Sequence, residues 1–243
     1  MKLPDPEEAA ARLHSQVGPI SPPVDLHRIA GLWSGLRIST ESLDGEGYLV
    51  DLGSRGGEII VRAHSTLPRQ RYTIAHELGH WVLRARGDRS EGSAATQTGP
   101  AAEKWCDRFA AGLLMPRAWV VRHLRSARSA GLVSAVLSGP EIFSVSEQAF
   151  RLRVAETTSI SIFEVQQRDG RLDVEKEFIS PTAETGPLTM TLLRVTDLIP
   201  GAGDRGMYLD PDTRFRSHHR LLSSPGDVRR WLVCMMPAGE FDD

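Results

Sequence analysis

The stretch Arg71-Tyr72-Thr73-Ile74-Ala75-His76-Glu77-Leu78-Gly79-His80 decides how this chain is read. Ile74, Leu78, Trp81 and Val82 recur with a helical rhythm, which predicts an amphipathic helix from about Tyr72 to Arg84. Four residues advance a helix by about 400°, so His76 and His80 project to one side, one turn apart. Two imidazoles so placed suit two vertices of a tetrahedral metal. Glu77 is offset by about 100° and stands beside the metal position, where a carboxylate can take a proton from a polarised water. A helical histidine pair can also be purely structural. The interleaved apolar residues bury this helix, however, and burying two histidines and a glutamate without a role is costly. Gly79 inside the helix costs roughly 1 kcal/mol relative to alanine, which points to close packing beneath the pair.

A third protein ligand is expected, with an open fourth position. The next helix, about Ala101 to Met115, should end by Pro116. Glu103 and Asp107 share one of its faces by the same four-residue spacing. Glu103 is the expected ligand, and Asp107 the acceptor that fixes the tautomer of a ligand histidine. An exposed acidic pair is the ordinary alternative. The core-like continuation Phe109-Ala110-Ala111-Gly112-Leu113-Leu114-Met115 argues for the ligand.

Working outward, the chain has 243 residues, 40% hydrophobic and 25% charged, which is ordinary globular composition. A formal net charge of −2 excludes a nucleic-acid polycation as the character of the whole chain. Cys106 and Cys234 are too few for a disulfide framework. The N-terminus carries prolines and acids in place of an apolar leader core, and no apolar run approaches a membrane span. A cytoplasmic protein with no membrane partner is therefore expected.

Upstream, the pattern predicts a short helix over Pro6 to Val17, another from Val24 to Ala30, and strands over Leu36 to Ser39, Gly47 to Asp51 and Glu58 to Arg62. Gly53 to Gly57 reads as a hairpin loop, and Gly87 to Pro100 as a mobile loop. From Arg117 to Thr158 the pattern is helical, with breaks near Gly131 and Gly139-Pro140. A hairpin is expected at Ser161 to Ile179 about Asp169-Gly170, with strands at Thr189 to Val195 and Trp231 to Met236. The expected fold class is α+β. It comprises a zincin-like peptidase domain over 1–116 with a small antiparallel sheet, a helical helix-turn-helix-like segment over 117–158, and a mixed α/β regulatory region over 159–243.

At these residues the chain resembles the ImmA/IrrE family of metallopeptidases. The matching pieces are Val24 to Ala30, Arg71 to His80, Glu103-Lys104-Trp105-Cys106-Asp107-Arg108-Phe109-Ala110, Leu113 to Pro116, and Phe143 to Arg153. The resemblance covers roughly residues 22 to 155. Tyr72 stands where Phe is usual, Cys106 where Ala is usual, and Asp107 where Asn is common. The resemblance implies a gluzincin-like endopeptidase with His76, His80 and Glu103 on Zn2+ (Mn2+ or Fe2+ being the alternatives) and Glu77 as general base. It also implies an XRE-like helix-turn-helix repressor as substrate, whose cleavage derepresses stress, DNA-damage or mobile-element genes. A non-proteolytic anti-repressor, or a toxin–antitoxin or phage-defence component on the same fold, is the alternative. Longer relatives carry a GAF-like sensor in the C-terminal part.

Tyr48 and His64 are candidates for oxyanion or substrate contact. The strand Glu58 to Arg62 is a candidate edge for an extended substrate. Cys106, one turn from Glu103, is a candidate redox-sensitive thiol, although a small buried core residue is the commoner reading. Arg117, Arg122, Arg125, Arg128, Arg151 and Arg153 make residues 117–153 locally basic, a candidate surface for DNA phosphates or for docking the repressor, although a segment of this kind more often just covers the peptidase core. His218-His219 lie in an Arg-rich stretch that reads as a solvated loop, and no role is expected of them.

Overall fold

The computed structural model describes residues 3–86, 99–126, 131–168, 171–198, 205–223 and 228–238. They form two compact units, Met1–Arg117 with Pro140–Ser146, and Ala118–Gly139 with Glu147–Asp243.

In the first unit, α1 (Pro6–Val17) and α2 (Leu26–Ala30) start at aspartates, Asp5 and Asp25. Their Oδ1 atoms accept the Glu8 and Arg28 N–H groups, each at 3.0 Å. β1 (Leu36–Glu41), β2 (Gly47–Asp51) and β3 (Gly57–Arg62) form a sheet of order β1-β3-β2. The expected all-antiparallel sheet is in fact mixed, because β3 runs parallel to β1 and antiparallel to β2. A close glycine contact admits β3 beside β1. A Cβ on Gly56, at φ 100°, would lie 2.3 Å from the Gly35 carbonyl oxygen. The same carbonyl accepts the Gly57 N–H at 3.2 Å.

β3 is thus central, with both edges paired, and cannot take an extended peptide as the sequence suggested. The sheet's edges belong to β1 and β2, and the β2 edge lies nearer the site helix's Glu77. The Glu46 carbonyl accepts from Arg62 N–H at 2.9 Å and Leu52 N–H donates to Gly56 at 3.0 Å. Antiparallel pairing alternates, so the backbone groups of Gly47, Leu49 and Asp51 face outward.

The site helix, α3 (Leu67–Arg86), begins five residues earlier than expected. Pro68 sits in its first turn, where a missing N–H breaks no helical bond. Two glycines let α3 lie close on the sheet. A Cβ on Gly47 would be 2.6 Å from Thr73 Cγ2, and one on Gly57 would be 2.5 Å from the Trp81 ring. α4 (Pro100–Leu114) packs along α3, and α1 packs on α4, where Trp105 Nε1 donates to the Pro4 carbonyl at 2.6 Å. The Arg71 guanidinium donates to the Val24 carbonyl at 2.8 Å and to the Ser144 carbonyl at 3.2 Å. It thereby ties the start of α2 and the 140–146 segment to the site helix.

The second unit contains most of α5 (Arg117–Ser126) and of α6 (Leu132–Phe143), α7 (Glu147–Thr157), α8 (Thr185–Leu198) and a sheet of β4 (Ser161–Arg168), β5 (Arg171–Phe178), β6 (Arg205–Leu209), β7 (Phe215–Ser223) and β8 (Arg229–Pro237). The sheet order is β5-β4-β8-β7-β6, antiparallel throughout. The expected hairpin is β4–β5, with its turn residues 169–170 outside the described residues.

The helices depart from expectation at two places. α6 runs through Gly139-Pro140 instead of breaking, at the loss of one helical hydrogen bond. Gly139 is required there, since a Cβ would fall 2.1 Å from the Phe150 ring. Thr189 to Val195, expected as a strand, lies in α8. Leu188, Leu192 and Val195 are spaced four and three apart, and this helical face packs onto Phe163, Val165, Phe215, Trp231, Val233 and Met235 of the sheet. Local β-propensity yields to that burial.

Glu164 alternates with Phe163 and Val165, so it points to the opposite sheet face, where it meets Arg151 of α7. Arg151 and Arg153 are buried, with Arg151 also bridging to Glu147 at 2.7 Å. Two of the six arginines in the basic segment therefore lie inside the fold and offer no surface charge. Arg128 lies outside the described residues.

His218 and His219 belong to a strand, β7, not to a solvated loop, and alternate to opposite sheet faces. His219 is buried edge-on against Trp231, and neither ring nitrogen has a hydrogen-bond partner among the described residues. Burial lowers its pKa from the ordinary 6.5. An unfolded chain then binds more protons than the folded one below about pH 6.5, so stability from this group is present above that pH and is lost as pH falls. His219→Phe is expected to flatten the loss of thermal stability between pH 7 and 5.5. An unchanged pH slope would refute this.

Candidate metal centre

α3 brings His76 and His80 onto the face that meets α4. A Cβ on Gly79 would stand 3.1 Å from Phe109 Cδ1 and 3.2 Å from Cys106 Cα and Cβ. Glycine there lets the two helices approach, as the sequence suggested. Gly79→Leu is expected to cost about 1–3 kcal/mol by overpacking and to lower metal affinity by separating the helices. Urea melts and metal titration would check both.

The approach gathers two imidazole nitrogens and both carboxylate oxygens of Glu103 around one point. His76 Nε2 and His80 Nε2 are 3.2 Å apart, Glu103 Oε2 is 3.2 Å from His76 Nε2, and Glu103 Oε1 is 3.4 Å from His80 Nε2. Ligand bonds of roughly 2.0–2.1 Å in a tetrahedron imply ligand separations of about 3.3–3.4 Å. The triangle formed by the two imidazole nitrogens and the Glu103 carboxylate therefore has sides close to those around a zinc-sized ion. The imidazoles are only 16% and 18% exposed, whereas the Glu103 side chain is 53% exposed, so the site opens to solvent on one side. Structural zinc sites are closed, and an open position is what a hydrolytic one needs.

Asp107 Oδ1 accepts from His76 Nδ1 at 3.0 Å. That bond places the ring proton on Nδ1 and leaves the Nε2 lone pair facing the triangle. The same oxygen accepts the Tyr72 hydroxyl at 3.0 Å. Tyr72 was visible in the sequence only as a departure from Phe, one turn before His76. Its hydroxyl is what makes the departure meaningful.

Glu77 lies beside the triangle. Burial raises its carboxyl pKa and the Glu103 charge adds to this, against the opposing pull of the two imidazoles and of the Leu49 N–H it accepts. Leu49 is one of the outward-facing positions of the β2 edge, so the free edge of the sheet orients this carboxylate. No sequence pattern signals a backbone donor of this kind.

Tyr48 lies on β2 next to Leu49 and is 46% exposed, while His64 follows β3 on the surface. Among the described residues neither hydrogen-bonds to His76, Glu77 or His80. Cys106 Sγ lies within 4.8 Å of a ring nitrogen of each histidine, so His76, His80 and Cys106 also form a group that could hold a metal ion. It is fully buried, and burial with the neighbouring Glu103 charge drives its pKa far above the ordinary thiol value. Cys234 is buried too, pushed up to about 12, and both cysteines are free.

Among the described residues no helix is long and apolar enough to cross a membrane. No curated protein matches the chain. Among solved structures it is similar to one described as a Mycobacterium tuberculosis transcriptional regulator, at 13% identity and a TM-score of 0.49, over 96% of this chain and 76% of that one. The family model for Peptidase_M78, the IrrE N-terminal-like domain, matches residues 34–154, a span that contains α3, α4 and every residue of the triangle. Peptidases of that family are metal-dependent. Through residues 34–154, this chain belongs to the Peptidase_M78 family of IrrE N-terminal-like domains.

Proposed function

We propose that the chain is a zinc-dependent endopeptidase whose substrate is a helix-turn-helix transcriptional repressor. The observation that carries the catalytic half is the open triangle of His76, His80 and Glu103 with a proton-accepting Glu77 at its side. The substrate half rests on the family resemblance, which also suggests derepression of stress or DNA-damage genes as the outcome.

His76 and His80 would hold the ion through Nε2 and Glu103 through its carboxylate, with Asp107 and Tyr72 fixing the His76 ring. When bound, zinc supplies Lewis acidity toward a water and toward the scissile carbonyl. Glu77, aimed by the Leu49 N–H and with its pKa raised by burial, accepts the proton of the attacking water on its carboxylate. It then delivers that proton to the leaving amine. Among the described residues the outward backbone groups of Gly47 and Asp51 have no backbone partner, so they can pair with an extended substrate along β2.

The test is to incubate the protein with the repressor encoded beside its gene, with and without chelator. A chelator-sensitive cut supports the proposal, and an intact repressor under both conditions rejects it. Metal removal carries its own expectation. An ion bound only by the folded chain stabilises it by mass action, by about 2.7 kcal/mol at a hundredfold excess over Kd. Chelation should therefore lower the melting temperature of the first unit, and a His80→Ala variant should be indifferent to chelator.

A further inference from the structure

Far along the chain from the metal centre, the β6–β7 ladder carries a feature that the peptidase reading does not use. Arg205 stands directly opposite Arg220, and Met207 opposite His218. Alternation puts all four side chains on one sheet face. Like charges directly opposite each other destabilise a ladder. Among the described residues neither arginine meets a carboxylate, and Arg220 has only the Ser134 hydroxyl, at 3.4 Å.

This face borders a cavity of about 700 Å³ within the second unit, lined on its other side by Gly131, Leu132, Val133 and Ser134 at the start of α6. That volume is in the range of small-molecule sites. Among the described residues no acidic side chain lines the cavity. His218 Nε2 is buried there without a hydrogen-bond partner among the described residues. Met207, 64% exposed, and the aliphatic Leu132 and Val133 supply an apolar wall. The α6 start adds first-turn N–H groups that have no helical acceptor.

We infer that this cavity binds a small anionic ligand, a phosphate or carboxylate carrying an apolar group, with Arg205 and Arg220 on the anion. The ligand's charge relieves the cross-strand repulsion, and its apolar part lies against Met207, Leu132 and Val133. Nothing in this depends on the metal centre, so the two readings stand or fall separately.

The probe is octyl phosphate, titrated into the full chain while the Met207 methyl resonance is followed by NMR. Octanol, inorganic phosphate and a short DNA duplex serve as comparisons. The expected result is a saturable Met207 shift with octyl phosphate, a weaker one with inorganic phosphate, and none with octanol. Arg205→Gln and Arg220→Gln should each weaken binding about tenfold, the loss of one charge-assisted contact. Neither should lower the melting temperature of the ligand-free protein, because each removes a repulsion. Arg229→Gln, outside the cavity, should bind as the parent does. Three outcomes would overturn the inference: octanol binding as well as octyl phosphate, the DNA duplex shifting Met207 where octyl phosphate does not, or both cavity variants binding like the parent.

Discussion

Glu77→Gln is expected to abolish cleavage, by about 10²–10⁴-fold, while the protein keeps its full complement of metal. The substitution preserves shape and can still accept the Leu49 N–H, so the carboxamide stays where the carboxylate was. What it loses is the ability to take a proton. The triangle of His76, His80 and Glu103 does not include this side chain, so metal stoichiometry should not change. The melting temperature should not fall either, since a buried neutral amide is less costly than a buried charge. Two measurements decide the matter, metal content after dialysis and cleavage of the repressor. Should Glu77→Gln still derepress the target genes with no cut repressor, the chain acts as a binding anti-repressor and the peptidase proposal is wrong.

The second large effect concerns stability. Arg151→Ala removes a guanidinium held beneath the second sheet by Glu164 and Glu147. Among the described residues it leaves the largely buried Glu164 with the exposed Lys176, at 3.5 Å, as its remaining cation. Breaking a buried pair by removing one partner costs about 3–5 kcal/mol, because the remaining charge is uncompensated. A domain with only about 5–15 kcal/mol to lose would melt many degrees lower. The double variant Arg151→Met with Glu164→Leu removes both charges and should recover most of the loss. Equal destabilisation by the single and double variants would show that packing, not charge, sets the cost. This pair also bears on the candidate DNA contact. An arginine committed to Glu164 inside the fold cannot reach a phosphate.

Much of the first unit was legible because its information is local. Helical periodicity placed α1 and α3, the spacing of His76 and His80 put both rings on one side, and Glu103 with Asp107 repeated that geometry on the next helix. Gly79 signalled a close approach by residue type alone, since a helix interior tolerates glycine poorly without a packing reason. The failures have a common cause. Thr189 to Val195 looks like a strand because its threonines and valine favour one, yet Leu188, Leu192 and Val195 are buried together on one face of the sheet, which helical spacing brings about. Gly139-Pro140 looks like a break because local rules count only the lost hydrogen bond, while the helix is held by its contact with Phe150. Glu58 to Arg62 looks like an edge strand because sequence order does not reveal that β3 inserts between β1 and β2.

The sequence by itself determined the donor types, their helical spacing and the tight crossing at Gly79, since each follows from residue chemistry and a 3.6-residue repeat. Only the tertiary structure decided the rest: the length of the triangle's sides, the Tyr72 hydroxyl on Asp107, the Leu49 N–H on Glu77, and the facing arginines of β6 and β7. Those depend on how elements distant in sequence are brought together, and strand order and helix packing are set by the burial of whole faces rather than by any local run of residues.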